Sequence, residues 1–139
     1  MNVKEVLEQA KCLGACNESA KATDWKSLVW LFFSPQGREF CKDNNYPTID
    51  MFRAIKKHVK PYGIHVEEST FIKNKDVALI GDCGAKSELS FSDVKKAYKV
   101  ILMHGAKAII HASQYAVVRI ENINGEYEII NDGTAEVLI

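Results

Sequence analysis

Residues 103–110 read MHGAKAII, and residues 82–89 read DCGAKSEL. Both stretches have a turn, then a small residue, then a mainly apolar segment, and residues 113–118 (SQYAVV) and 132–137 (DGTAEV) repeat the second part of this unit. Small side chains that recur where strands begin are typical of a narrow, tightly wound core, as in a short β-solenoid. The aligned small residues are separated by 21, 8 and 19 positions, which is irregular. An antiparallel meander is therefore the alternative to the solenoid.

The whole segment 64–139 predicts a β-rich unit, because short runs rich in β-branched residues alternate with Gly, Asn and Asp. Asn124-Gly125 is a typical hairpin sequence, since both central residues of a type I′ turn need positive φ. Asp132-Gly133 predicts another turn, and Ile139 indicates a terminal strand at a sheet edge. Residues 93–98 are expected to form a short helical turn or a charged loop. The predicted strands are 77–80, 99–103, 107–111, 115–120, 126–130 and 135–139.

Residues 1–63 predict a helical unit with about four short helices. Apolar residues in the first 13 positions recur at spacings of three and four, which indicates one apolar helical face. A side-chain oxygen at an N-cap accepts a hydrogen bond from an otherwise unpaired backbone N–H. The candidate N-caps are Thr23 or Asp24, Ser34 (followed by Pro35 at the first helical position) and Thr48. The expected class is α+β, with the helical unit packed on the β-rich unit.

The composition is that of an ordinary globular protein. The chain has 139 residues, of which 47% are hydrophobic and 26% charged, and 18 basic residues balance 18 acidic ones. These values argue against long disorder, a coiled coil, a nucleic-acid coat and a polybasic membrane anchor. The N-terminus is interrupted by charge and lacks the apolar region of a signal peptide. A cytoplasmic protein without membrane association is expected.

The four cysteines are expected to be free, mostly buried thiols. Cys12 and Cys16 lie four positions apart, which places them on one face of a continuing helix. No second pair matches them, and a structural zinc site needs four ligands. A zinc site is therefore not expected at Cys12 and Cys16, and no cofactor is expected.

Residues 35–60 have the outline of a helix-turn-helix, with a short helix, a tight turn and a Thr-capped second helix. In such proteins the second helix lies in the major groove and its N-terminal residues contact bases. Packing of an ordinary helix pair with solvated lysines explains the same pattern. The candidate DNA-contacting residues are Thr48, Asp50 and Arg53 at base edges, and Lys56, Lys57 and Lys60 at phosphates.

A second candidate site comes from the repeat. Cys83, His104 and Asp132 each directly precede a glycine at a predicted turn. If these turns stack, a thiol, an imidazole and a carboxylate would converge, as thiol catalysis requires. Cys83 and His104 could also begin a metal site, although Asp before Gly is ordinary turn chemistry.

Two segments resemble a known group of proteins. The first comprises residues 33–41 (FSPQGREFC), with Tyr46-Pro47 and 51–53 (MFR) after it, and the second comprises 101–108 (ILMHGAKA) and 113–118. Both resemble small uncharacterised proteins of gut Bacteroidales and of their mobile elements and phages. The resemblance implies a helical front, a β tail and a bacterial or phage setting, and it implies no activity.

The leading hypothesis is a non-enzymatic binding or assembly module of bacterial or phage origin. The common nucleotide-binding, zinc-protease and serine-hydrolase motifs are absent from the sequence. Exposed strands or open sheet edges would contact a protein partner or a second copy. The alternatives are a small DNA-binding protein that uses segment 35–60, and a thiol enzyme or metal protein around Cys83 and His104.

Overall fold

The computed structural model describes residues 1–14 and 22–139. The described chain forms two compact units, Met1–Tyr62 and Gly63–Ile139. Helices occupy the first unit and strands the second, which confirms the predicted α+β class. The helices are α1 (Val3–Cys12), α2 (Trp25–Phe33), α3 (Pro35–Asn44) and α4 (Ile49–Val59), with a 3₁₀ turn at Lys60–Tyr62.

The helices begin where the sequence predicts N-caps. In α2, α3 and α4, the N-cap side chain accepts a hydrogen bond from the backbone N–H three residues later. Asp24, rather than Thr23, caps α2, and it forms a capping box with Ser27. The caps of α3 and α4 are Ser34 and Thr48, as predicted. Within the described ranges, no helix has both the length and the apolar character needed to cross a membrane.

Close packing in the helical unit centres on α2, which lies against both α3 and α4. Gly37 is required at the start of α3, because an added Cβ would lie 2.0 Å from the carbonyl oxygen of Leu31. The hydroxyl of Tyr46 donates to the carbonyl of Val6, which connects the end of α3 to α1. In α4, Phe52 and Ile55 are buried, whereas Arg53 and Lys57 are exposed.

The second unit is a short parallel β-solenoid. Odd-numbered strands form a five-stranded sheet in the order β1-β3-β5-β7-β9, and even-numbered strands form a four-stranded sheet in the order β2-β4-β6-β8. All the pairings are parallel, which confirms the predicted solenoid and excludes the meander. The strands are β1 (Ile64–Val66), β2 (Phe71–Lys73), β3 (Val77–Ile80), β4 (Ser87–Phe91), β5 (Ala97–Met103), β6 (Lys107–Ala112), β7 (Val117–Asn122), β8 (Glu126–Asn131) and β9 (Glu136–Leu138).

The strand register reproduces the sequence repeat. Ser87 lies opposite Ala108, the residue that the repeat aligns with it, 21 positions later. Val117 lies opposite Glu136, 19 positions later, which aligns 113–118 with 132–137 as predicted. The irregular spacing of 8 has a simple origin. Ala108 lies in β6, and Ala116 directly precedes β7, so these two residues follow one another within a single turn of the solenoid.

The hairpin prediction at Asn124-Gly125 is wrong, because β7 and β8 belong to different sheets and do not pair. Gly125 does not have the positive φ of a type I′ turn. It is needed for close approach, since an added Cβ would lie 2.6 Å from the carbonyl oxygen of Ala106. Three strands were not predicted, namely β1, β2 and β4. Of the two alternatives for residues 93–98, the structure has a loop that leads into β5.

The interior of the solenoid is lined by every second residue of the strands. These side chains are almost completely buried in the middle strands and only partly buried in the last two. The fully buried set includes Leu89, Phe91, Val100, Leu102, Ala108, Ile110, Val118 and Ile120. The partly buried set includes Tyr127, Ile129, Ala135 and Val137. The core is therefore incompletely covered at β8 and β9, and to a smaller extent at Ile72 in β2, at the other end of the even-numbered sheet.

Candidate functional site

Most of the partly buried core residues lie in or beside β8 and β9, and we call these two strands the open edge. Within the part of the chain that the structure describes, β8 has β6 as its only sheet neighbour, and β9 has only β7. At the opposite end of the odd-numbered sheet, all three residues of β1 are buried. In β8, by contrast, each residue is exposed or half-exposed. Among the edge strands of the two sheets, β8 is the longest, and it has the most exposed residues.

The backbone of β8 presents unpaired hydrogen-bonding groups at this edge. The N–H of Glu126 donates to the carbonyl of Ala106 (2.8 Å), and the N–H of Asp132 donates to the carbonyl of Ala112 (3.1 Å). In a parallel ladder, bonded residues alternate along the strand. The N–H and C=O groups of Tyr127, Ile129 and Asn131 therefore point away from β6. These groups are the template to which another strand can pair.

Apolar side chains lie on both faces of the open edge. Tyr127 and Ile129 point inward and pack against the core, yet they are only partly buried. On the outer face, Ile130 is 54% exposed, and Leu138 in β9 is 36% exposed. A strand that pairs with β8 would cover the inward side chains and remove apolar surface from water. The open edge thus combines unpaired backbone groups with uncovered core.

The charge of the open edge is one-sided. After Arg119 the sequence contains five acidic residues and no Lys or Arg. Glu126 and Glu128 are exposed in β8, and the cations near them come from earlier turns of the solenoid. Lys107 of β6 lies opposite Glu126, and the Lys86 Nζ lies 2.8 Å from a carboxylate oxygen of Glu128. The solvent-facing side chains in the first half of β8 are therefore acidic.

The turn between β8 and β9 holds the last strand in place. The Asp132 carboxylate accepts hydrogen bonds from the hydroxyl and the N–H of Thr134, and these bonds lower its pKa below the usual 3.8. Asp132 also accepts from the N–H of Gln114, and the Thr134 hydroxyl accepts from the N–H of Tyr115. Gln114 and Tyr115 both have positive φ, which non-glycine residues rarely adopt. The side chains of Asp132 and Thr134 therefore stabilise a strained turn of the preceding repeat.

The structure does not bring Cys83, His104 and Asp132 together. Cys83 and His104 lie in turns that lead from the odd-numbered to the even-numbered sheet, whereas Asp132 lies in a turn that leads back. These two kinds of turn lie at opposite ends of the even-numbered strands, and a six-residue strand is about 20 Å long. The sequence suggested that the three turns are equivalent, because Cys83, His104 and Asp132 each directly precede a glycine. In the described parts of the chain, no group of three His, Cys, Asp or Glu side chains could hold a metal ion.

Cys83 itself occupies an exposed position in a turn. Its thiol donates to the carbonyl of Ala85 (3.3 Å). Asp82, directly before it, accepts from the N–H of Gly84 and lies 3.4 Å from the Lys107 ammonium, and both contacts lower the pKa of its carboxyl. These contacts shape the turn between β3 and β4.

The cysteines differ in exposure. Burial raises the pKa of the Cys41 thiol to about 12, so this thiol is protonated and unreactive at neutral pH. Cys12 and Cys83 are exposed, and the prediction of mostly buried thiols is wrong for these two. Cys16, and with it the proposed pairing of Cys12 and Cys16, lies outside the described residues.

The candidate DNA-binding residues lie on and around α4, where several are exposed. Thr48 is occupied as the N-cap, and a guanidinium nitrogen of Arg53 lies 3.1 Å from the Asp50 carboxylate. The lysines lie in the second half of the helix and just after it, with Lys57 and Lys60 exposed and Lys56 half-buried. α4 packs against α2, which precedes the two helices of the expected motif. The DNA-binding interpretation stays a prediction.

The edge residues of β8 were missed as a site by sequence reasoning, although 126–130 was predicted as a strand. The signal was the alternation of Glu126 and Glu128 with Tyr127 and Ile129, which places charge on one face and apolar groups on the other. Known proteins offer no guide to this site: no family model matches the chain, and no curated protein or solved structure shows a significant match.

Proposed function

We propose that the protein is a non-enzymatic binding or assembly module, of bacterial or phage origin, that contacts other protein chains through the open edge. The observation that carries this proposal is the geometry of β8. The backbone groups of Tyr127, Ile129 and Asn131 point away from the sheet, beside inward side chains that are only partly covered. A long, accessible edge of this kind favours pairing with a further strand.

Strand addition explains how such an edge would bind. Hydrogen bonds between main chains supply affinity, and contacts with alternate side chains supply specificity. The incoming strand would cover Tyr127 and Ile129, as neighbouring strands already cover the core residues of the middle strands. We expect an incoming strand to continue the parallel stacking that β6 and β8 already show.

The proposal is tested by placing charge on the open edge. The variant Ile130→Lys/Leu138→Lys puts two ammonium groups beside the edge without changing an inward core residue, because both side chains are exposed. The matched control is Val94→Lys, which changes a 68% exposed side chain in the loop before β5. Light scattering over a concentration series measures self-association, and affinity capture from bacterial lysate measures binding to other proteins.

We expect the wild-type protein and the Val94→Lys variant to form the same complexes, and the edge variant to lose them. A wild-type protein that stays monomeric at every concentration and captures no partner would overturn the proposal. Complexes that are equally abundant with the edge variant would also overturn it, because they would form elsewhere on the chain.

DNA binding by α4 is the second candidate function, and the exposure of Arg53, Lys57 and Lys60 favours it. Fluorescence anisotropy with mixed double-stranded DNA at two salt concentrations would test it. The informative variants are Arg53→Ala and Lys56→Ala/Lys57→Ala. Binding that weakens with salt and with both variants would support a phosphate-contacting helix. An absence of binding at low salt would exclude this role.

A further inference from the structure

We infer that the occupant of the open edge is a basic, extended segment of another protein, which pairs in parallel with β8 and places Lys or Arg side chains beside Glu126 and Glu128. The inference rests on the proposed function, and it adds the chemistry of the partner. It follows from the charge of β8, the alternation of its side chains and the register of the sheet.

The first argument is the column of side chains that contains Glu126. Neighbouring strands lie about 4.8 Å apart, so side chains at the same register position stack directly beside each other. Lys107 occupies this position in β6, and Glu126 occupies it in β8. A basic residue in an added strand would lie beside Glu126 on its open side, and opposite charges at paired positions stabilise a sheet.

The second argument concerns Glu128. Glu128 lies opposite Ile109 in β6, which carries no charge. Its carboxylate forms an ion pair with Lys86, which lies in the turn before β4. Both of these cations, Lys107 and Lys86, come from earlier turns of the solenoid, on the side of β8 that faces β6. A basic residue in a strand added on the other side of β8 would give Glu128 a second charged neighbour.

The third argument is the alternation along β8. Glu126 and Glu128 are exposed on the outer face, while Tyr127 and Ile129 point toward the core. A strand that matches this edge has basic residues at alternate positions and apolar residues between them. The apolar residues would extend the core over Tyr127 and Ile129.

A second copy of the chain fits the open edge less well. Two open edges brought together would place acidic strands side by side, which is unfavourable. In a head-to-tail stack, β2 of one copy would follow β8 of the next. If the register of the even-numbered sheet continued, Phe71 would lie beside Glu128 and Lys73 beside Ile130. Neither of these pairs places opposite charges beside each other, so the structure favours a different, basic partner.

The test uses a fluorescein-labelled peptide, Lys-Val-Lys-Val-Lys-Val, and the intact protein, with binding followed by fluorescence anisotropy. We expect the peptide to bind and Glu126→Gln/Glu128→Gln to weaken binding about tenfold, which corresponds to about 0.7 kcal/mol for each exposed ion pair. Glu88→Gln is the matched control, since Glu88 is exposed on the same sheet but lies in β4, an internal strand. This control is expected to keep the wild-type affinity.

Two further peptides separate strand pairing from simple charge attraction. One is N-methylated at the lysines and the other at the valines. A paired strand directs alternate N–H groups toward β8, so only one of the two peptides would lose binding. Attraction between charges alone would leave both unaffected, and that result would overturn the proposed pairing.

The outcomes also distinguish the two proposals. If the Lys-Val peptide fails to bind, or a Glu-Val peptide binds equally well, the basic partner is excluded. The open edge would still function as a binding surface if Ile130→Lys/Leu138→Lys abolished complexes that the wild type forms. If that variant changes no complex and no peptide binds, both proposals fail.

Discussion

Ile110 and Ile129 are the same residue type at the same register position in neighbouring strands, yet they lie in different environments. Ile110 in β6 is completely buried, whereas Ile129 in β8 is only partly buried. Val118 and Val137 form the same contrast in the other sheet. The difference arises because β6 and β7 have a strand on each side, whereas β8 and β9 have a strand on one side. In a solenoid, burial is thus determined by neighbouring turns as well as by the residue itself.

The largest expected effect sharpens this contrast directly. We expect Ile110→Ala to lower the free energy of unfolding of the β unit by about 4 kcal/mol, since it leaves a cavity in a fully packed layer. Ile129→Ala should cost about 1 kcal/mol, because its side chain already contacts water. Native-state hydrogen exchange of amides in β3–β6 measures the change. Equal losses for the two variants would show that the open edge is covered in solution.

Gly125 tests whether close packing between turns determines the choice of residue. Gly125→Ala would place a Cβ 2.6 Å from the Ala106 carbonyl oxygen and 2.9 Å from the Leu102 Cβ. We expect a loss of about 2–3 kcal/mol from overpacking. Gly133→Ala is the control, because an added Cβ meets no atom within 4 Å and only the φ of +97° opposes it. The control should cost about 1 kcal/mol, and a greater loss in the control than at Gly125 would contradict the packing argument.

The valine pair gives a smaller version of the first comparison. Val118→Ala is expected to destabilise the β unit by about 2 kcal/mol, and Val137→Ala by less than about 1 kcal/mol. Urea unfolding followed by far-UV circular dichroism measures both values. A binding partner added in excess should increase the cost of Val137→Ala if the partner covers this end of the solenoid. An unchanged cost would show that Val137 stays exposed in the complex.

The smallest expected effect is a pH dependence at the turn between β8 and β9. The pKa of Asp132 is lowered by its hydrogen bonds to Thr134. A carboxyl with a lowered folded pKa stabilises the fold above its unfolded pKa, and this contribution is lost as pH falls through the folded value. Below about pH 4, we expect the Gln114 and Tyr115 N–H groups to lose protection from hydrogen exchange, relative to the intrinsic exchange rate at each pH. Asp132→Asn should remove this acid dependence, whereas Asp82→Asn, in an inner turn, should leave it unchanged.

The sequence predicted those features that depend on neighbouring residues. Ser34 and Thr48 were recognised as N-caps because an N-cap bonds to an N–H three residues away. β4 was missed because its sequence, SELSF, has no β-branched residue and has a polar residue, Ser87, at a buried position. Asn124-Gly125 was assigned to a hairpin because the same two residues suit a type I′ turn and, here, a close approach between solenoid turns. The open edge was foreseen only through Ile139, whereas the structure places its accessible backbone in β8.

By itself, the sequence determined where the helices begin, where most strands lie and which residues the repeat aligns, such as Ser87 with Ala108. These features depend on local hydrogen bonds, turn chemistry and side-chain size. Only the tertiary structure decided that the strands pair in parallel and that Tyr127 and Ile129 face an open edge. It also decided that Cys83 and Asp132 lie at opposite ends of the even-numbered strands. The reason is that strand pairing joins residues about 20 positions apart. Burial and edge exposure therefore depend on which strands lie alongside, and a strand's own sequence does not specify its neighbours.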